Sequence, residues 1–458
     1  MIQSNNNFPY SYEDECILYK SLFPVFCKDD FDELDKTYNK LDIDTEIEKL
    51  FSEYKINITE DQAALHHIYR SSYGEQVSNV SPHFFEIAKS SIEQCMNLRA
   101  KLLQNNIKNI VTIGIGGSYE GPKLLLETLT QKHERSFNHI FLTGPDNQEF
   151  IDEIEPLNQA ETFFIVSSKS FSTDESMQSL SLARDWIGAD LEFKDHFICV
   201  TSQLEKARSF GFDDNSAIQF PIEIGGRYSM WSPISLAAIL ELEGDFINFL
   251  KGGSLADKNL NSNTSYQEFM KTIVFSDIWH NNFDKKHIRV LLAYSWKLRF
   301  FSDYVQQLEM ESIGKSANAH SIFKKTGQTI FGGFGSTAQH SYYQLLHQGT
   351  ASFCVDIISV ETDKKNNELL FAQSQAQAKL LAFGADAGLK DHEKVNGQSP
   401  VNLFSLKELN AYNLGYLIAS WEHRVFLTSK MLEINPFDQY GVSAGKIYTR
   451  KYLDNNGG

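Results

Sequence analysis

From about residue 109 the chain alternates short, continuously apolar runs with longer amphipathic segments. NIVTIGIGG (109–117), HIFLTGPD (139–146), TFFIVSSKS (162–170), HFICVTS (196–202) and IQFPIEI (218–224) lack polar/apolar alternation, which predicts strands buried on both faces. GPKLLLETLTQ, FIDEIEPL, DESMQSLSLARDWIG and LEKARSFG lie between or after them with helical spacing. A second series begins near residue 287. IRVLLAYS, TIFGGFG and SFCVDIISV read as strands; RFFSDYVQQLEMES, SYYQLLHQ, ELLFAQSQAQAKLLAFG and YNLGYLIASWEHRVFLTSKML read as helices. Strands alternating with helices predict an α/β fold with mainly parallel sheets flanked by helices. Residues 1–83 are acidic and predicted to form an N-terminal helical segment that packs on the larger domain. The Gly- and Asn-rich stretches KGGS, NSNTS and NNFDKK place a boundary near 260–280. The expected division is a first α/β domain over 84–265 and a second, with C-terminal helices, over 266–458.

Composition narrows the function classes. The 458 residues are 42% hydrophobic and include 34 Phe and 19 Tyr, enough for a full core. The net charge of −17 repels nucleic acid and anionic membrane, so neither is an expected partner. An anionic substrate must then be held by a local site. Five scattered cysteines without a CxxC read as reduced thiols, and the N-terminal MIQSNNNFPY has no signal pattern; a cytoplasmic protein is expected. No apolar run approaches a membrane span.

Candidate chemistry sits at turns. Gly114-Ile115-Gly116-Gly117-Ser118 follows a strand and precedes a helix, where backbone N–H groups and the helix dipole favour an anion. A plain tight turn accounts for it equally well. Ser167-Ser168-Lys169-Ser170-Phe171-Ser172-Thr173 ends another strand before a helix. Five hydroxyls and a lysine exceed what a capping box needs, and they suit a phosphate. Arg227, in GGRYSMWSPISL, could stabilise an oxyanion or simply form a structural ion pair. Gln307 and Glu311 are i and i+4, on one helix face; read alone, this is most often a solvated acidic face. His340 follows a glycine-rich loop, whereas His347 reads as structural. With no HExxH or HxH pattern, no metal is expected. Lys446 follows a turn and could reach a ligand or stay solvated.

Taken in order, these segments resemble the phosphoglucose isomerase family. GIGGSYEGP is similar to its GIGGSxLGP, SSKSFSTDES to SKTFTTxET, GGRYSMWSPISL to GGRFSxWSxxGL, and QQLEMESIGK to QQLxMESNGK. AQHSYYQLLHQGT resembles GQHxFYQLxHQGT, FDQYGVSAGK resembles FDQxGVExGK, and AALHHIYR resembles AVLHxALR. The resemblance spans about residues 60–446. It implies two sugar-isomerase-type doubly wound domains, a homodimer, no cofactor and no metal. The implied reaction interconverts glucose 6-phosphate and fructose 6-phosphate through a cis-enediolate, the step shared by glycolysis and gluconeogenesis. It places the phosphate on Gly117, Ser118, Ser168, Lys169, Ser170 and Thr173, and the substrate-contacting glutamine at Gln307. Glu311 is implied as the isomerisation base and Arg227 as the oxyanion-stabilising cation. His340, reaching across from the partner subunit, and Lys446 are the implied ring-opening pair.

Four departures stand out. A family Glu is lost at Gly333 in the loop before His340, Ser443 replaces the Glu of GVExGK, Ile313 replaces the Asn of MESNGK, and Ser170 and Ser172 replace Thr. The first two bear on rate or sugar preference. The competing expectations are a non-catalytic sugar-phosphate-binding regulator and an isomerase of another phosphosugar such as mannose 6-phosphate. A regulator has no need of Glu311, His340, Lys446 and Arg227 together.

Overall fold

A computed structural model describes residues 10–385 and 390–456. The readings of MIQSNNNFP and of the last two residues lie outside that range. Two sheets organise the chain. The first is five-stranded and wholly parallel, built from β3 (Asn109–Ile113), β4 (Asn138–Leu142), β5 (Thr162–Ser167), β6 (Phe197–Thr201) and β7 (Ala217–Gln219) in the order β4-β3-β5-β6-β7. The strand runs predicted here all form. β5 and β6 are buried at every position, as a sheet covered on both faces requires.

The second sheet is mixed. Its parallel part comprises β8 (Ile288–Ala293), β9 (Thr329–Phe334), β10 (Phe353–Val360) and β11 (Val401–Leu406). β1 (Ser11–Glu13) and β2 (Ile17–Leu22) extend it antiparallel, in the order β1-β2-β11-β10-β8-β9. This corrects the expectation of a helical segment over residues 1–83. Only 28–38, 43–50 and 67–73 are helical in the described part before the helix at 82, and the start of the chain is an edge of the second sheet.

The segment 248–285, expected to hold a loop-rich boundary, is instead helix Gly244–Ser262 followed by helix Thr264–Asn282. They join at Asn263, whose side chain accepts from the Tyr266 N–H at 3.2 Å and caps the second helix. Helix Ala411–Met431 is buried almost all round and lies against Gly244–Ser262. Two glycines permit that approach. A Cβ on Gly252 would sit 1.8 Å from the Tyr412 carbonyl oxygen, and one on Gly415 2.0 Å from that of Phe249.

Beside this crossing lies a buried ionic network. Arg424 grips Asp277 with two bonds of 2.7 Å and donates to Asp356 at 2.8 Å. Arg289 donates to Glu309 at 3.0 Å, and the Trp421 indole donates to the same oxygen at 2.6 Å. Burial raises the Asp277 pKa, but Arg289 and Arg424 outweigh it and hold the carboxyl low.

Candidate active site

The strand order of the first sheet reverses between β3 and β5, so a crevice opens beyond their carboxyl ends. Both predicted anion turns lie there. Gly116–Ser118 forms a single tight turn, with Gly116 in the left-handed region at φ +59°. A Cβ on Gly117 would stand 1.9 Å from the Gly226 carbonyl oxygen, so the Gly-Gly-Ser and Gly-Gly-Arg turns touch backbone to backbone. After β5 the hydroxyl-rich loop runs into helix Asp174–Ile187, capped at Thr173 without a side-chain cap bond. The Thr173 hydroxyl is therefore not used up by the helix. Phe171 takes φ +47°, costly for an aromatic residue, and is held by burial against Phe210 and Phe212 at ring separations of 5.5 and 5.7 Å. That anchor leaves Ser170 exposed and Ser168 and Lys169 facing the crevice.

The crevice has a volume of about 290 Å³. Gly117, Ser118, Ser168, Lys169, Ser170, Thr173, Arg227, Gln307, Glu311 and Lys446 all line it. These residues come from five separate stretches of sequence. Burial lowers the Lys169 pKa, partly offset by the carboxylates of Glu60 and Glu223.

Opposite the cradle, Gln306–Met310 forms a π-helical turn that leads directly into Glu311. Such turns displace side chains from regular helical positions. Here Gln307 Nε2 donates to Glu311 Oε1 at 3.3 Å, so the predicted i, i+4 pair shares one face. The acidic-face alternative fails for this segment: Glu309 is buried and Glu311 is only 32% exposed at its side chain. Arg227 is buried. Its Nη1 lies 3.3 Å from Glu311 Oε2 and 3.2 Å from Gln439 Oε1, its Nε donates to Ser312 at 2.7 Å, and its Nη2 donates to the carbonyls of Pro436 and Asp438. A carboxylate and a fixed guanidinium thus face the same space as the anion cradle.

His340 is the exception. It ends the short helix Gly335–Gln339, is exposed, and does not line the crevice of its own chain. His347 is half-buried with Nε2 3.0 Å from Gln377 Oε1, a structural placement. Sequence reasoning missed Glu60, Phe437 and Gln439, which also line the crevice. For Gln439 the FDQYGVSAGK stretch was the available signal. Glu60 had none, because it arrives through a loop whose Thr59 bonds to Asp438 across 379 positions. Among the described residues no group of three or more His, Cys, Asp or Glu is placed to hold a metal ion.

Fold and crevice together define a doubly wound α/β protein with a cradle of hydroxyls, glycine turns and a lysine at the switch point of one sheet and an acid–guanidinium pair facing it. More narrowly, the chain belongs to the phosphoglucose isomerase family, whose profile matches residues 26–456. It is 30% identical to the glucose-6-phosphate isomerase of Wigglesworthia glossinidia brevipalpis over 96% of this chain and 86% of that protein. With the glucose-6-phosphate isomerase of Syntrophus aciditrophicus the identity is 34%, over 89% of this chain and 80% of the relative. The crystal structure of a glucose-6-phosphate isomerase from Chlamydia trachomatis shares the fold at a TM-score of 0.88 and 24% identity, covering 97% of this chain and 89% of that one.

Proposed function

We propose that this protein is an aldose–ketose isomerase that interconverts glucose 6-phosphate and fructose 6-phosphate, a step of glycolysis and gluconeogenesis in the cytoplasm. The observation that carries the reading is the single crevice that joins the cradle of Ser118, Ser168, Lys169, Ser170 and Thr173 to Glu311 and Arg227. The phosphate binds at the cradle through hydroxyls, backbone N–H groups and Lys169. That remote contact positions the sugar carbons against Glu311. Gln307 holds the carboxylate from one side and contacts the sugar. Glu311 removes the proton from the second carbon of the opened sugar and returns it to the first, so one base on one face serves both carbons. The negative charge of the enediolate falls beside the Arg227 guanidinium, which stays protonated and cannot quench it.

Ring opening needs one proton given and one taken. Lys446, in the crevice, is one partner. His340, exposed and away from its own crevice, is the other, delivered from the second subunit of a homodimer. The exposed Ile447, Tyr448, Tyr452 and Leu453 on helix Ser443–Asn456 support burial against another chain.

The primary test is a coupled assay: fructose 6-phosphate is supplied and glucose 6-phosphate is read with its dehydrogenase. Steady turnover is expected; tight binding of either sugar phosphate without turnover would return the regulator reading, and turnover of mannose 6-phosphate alone would return the third. A complementation experiment tests the shared site. Mixed dimers of Glu311→Gln and His340→Ala chains contain one site with neither substitution, so activity should rise above that of either variant alone. No gain on mixing removes the cross-subunit assignment.

A further inference from the structure

Resting on the isomerase reading, we propose that Lys315, Asp438 and Thr59 form a latch that aims Arg227 at the substrate, making them positioning residues for the proton-transfer step. The Arg227 guanidinium is fixed on its Nη2 side by two backbone carbonyls, Pro436 and Asp438, which belong to the loop at 435–440. No regular secondary structure holds that loop until Tyr440, so its carbonyls must be fixed by side chains. Lys315 does this from one side. Its ammonium donates to the Asp438 carboxylate at 2.5 Å, to the Asp438 carbonyl at 2.8 Å and to the Asn435 carbonyl. Thr59 does it from the other, donating to the second Asp438 oxygen at 2.5 Å, while Asn435 ties Asn57 and Asp438 together at 2.9 and 3.0 Å.

Lys315 lies one helical turn beyond Glu311, on the same short segment. The latch therefore sets the loop that holds the cation against the segment that carries the base. The spacing of Nη1 and the Glu311 carboxylate, 3.3 Å, follows from it. Charge points the same way. Burial and the nearby Arg227 lower the Lys315 pKa, and Asp438 opposes them. Burial would raise the Asp438 carboxyl, but Lys315, Thr59 and Arg227 together hold it low. The Lys315–Asp438 pair thus cancels within itself and adds no net charge beside the Arg227–Glu311 pair.

The test compares Lys315→Met, Asp438→Asn, their double variant, Thr59→Val and Thr59→Ser. Kinetics are run beside binding of sorbitol 6-phosphate, a non-reacting polyol phosphate. Misplacing Arg227 by about 1 Å should lower kcat about 100-fold in Lys315→Met. KM and sorbitol 6-phosphate affinity should stay within about 3-fold, since the cradle is untouched. The double variant should be no worse than the worse single one, as expected of residues acting as a unit. Thr59 is exposed, so Thr59→Val leaves the core intact; it should lose kcat by a smaller factor that Thr59→Ser restores. Near-normal kcat in Lys315→Met, a parallel loss of polyol phosphate affinity, or multiplicative losses in the double variant would each overturn the latch. A wild-type chain without isomerase activity would instead refute the function. The latch would then stand or fall on a crystal structure of Lys315→Met, where Arg227 is expected to leave the reach of Glu311 and its retention at that spacing is the contrary result.

Discussion

The two sheets repeat one local topology and put it to different uses. Around its switch point the first reads β4-β3-β5-β6, the second β9-β8-β10-β11, each parallel. A crevice is thus offered twice beyond the carboxyl ends of the inner strands. In the first, glycines, hydroxyls and Lys169 line it. In the second, a cavity of about 320 Å³ is lined by Ser295, Trp296, Thr362, Asp363 and Glu408. Lys297 lines it too, but a bulky indole and two carboxylates share the opening, and it has no glycine turn. The interiors differ in the opposite sense. Val111, Ile113, Phe164 and Val166 fill one face of the first sheet with apolar contacts, whereas Arg289 and Asp356 sit within the second. Through Glu309 that charge reaches the turn bearing Glu311. Topology supplies the opening, side-chain chemistry distinguishes the two crevices, and the second sheet serves as the mount for the segment that carries Glu311.

The largest test of this division is Glu311→Gln, which should cut turnover by about 10²–10⁴-fold. Sorbitol 6-phosphate affinity, measured by calorimetry, should stay within a few-fold; a collapse of affinity would merge base and cradle into one unit. Next is stability. Asp277→Ala removes one of the two carboxylates that Arg424 and Arg289 share, leaving only Asp356 between them, and should cost about 3–5 kcal/mol in urea unfolding. Ile113→Val in the first sheet should cost about 0.5–1.5 kcal/mol, and equal losses would dissolve the contrast between the two interiors. Smaller again, Ser168→Ala or Thr173→Ala should lower kcat/KM by roughly 10–100-fold by removing a hydrogen bond to a charged phosphate. Asp363→Ala, in the other crevice, should leave it unchanged; a matching loss would mean that both openings serve the reaction.

The mildest effect is in pH. Because burial lowers the Lys169 pKa, the cradle loses its charge sooner than an exposed lysine would as pH rises. Phosphate affinity, full below that depressed pKa, should fall as pH passes through it. For folding the sign is reversed: the charged buried lysine costs stability at low pH, and the cost fades as pH rises through the same value. Lys169→Arg, which keeps its charge, should extend the alkaline limb of kcat/KM, and an unaltered limb would take Lys169 out of the phosphate site.

Much of the first sheet and its cradle was legible because both are local. Apolar runs of five or six residues predict strands, and hydroxyls crowded at a helix start signal an anion within one stretch of chain. β11 escaped notice because Asn402 and Ser405 interrupt its apolar run. Their polar groups are satisfied by Asp356, Tyr19 and Ser359, from elsewhere in the sheet. β2 is hidden for a similar reason: between the three-residue β1 and β11 it leaves Lys20 exposed, and an acidic helical stretch follows it. Glu309 looked like part of a solvated acidic face, since nothing nearby in sequence reveals Arg289 and Trp421 as its partners. The position of His340 away from the crevice of its own chain is likewise beyond any local pattern.

Three of the five acceptors of the Arg227 guanidinium come from residues 436–439, more than two hundred positions after the arginine itself. During synthesis, both sheets can close before that stretch leaves the ribosome, while the cation has only Ser312 and Glu311 to hold it. The last hold on the guanidinium is thereby deferred to the final few per cent of the chain. A chain cut short after helix Ala411–Met431 would still contain every strand of both sheets and the turns at 116–118 and 168–173, but would lack three of the guanidinium's five acceptors and Lys446.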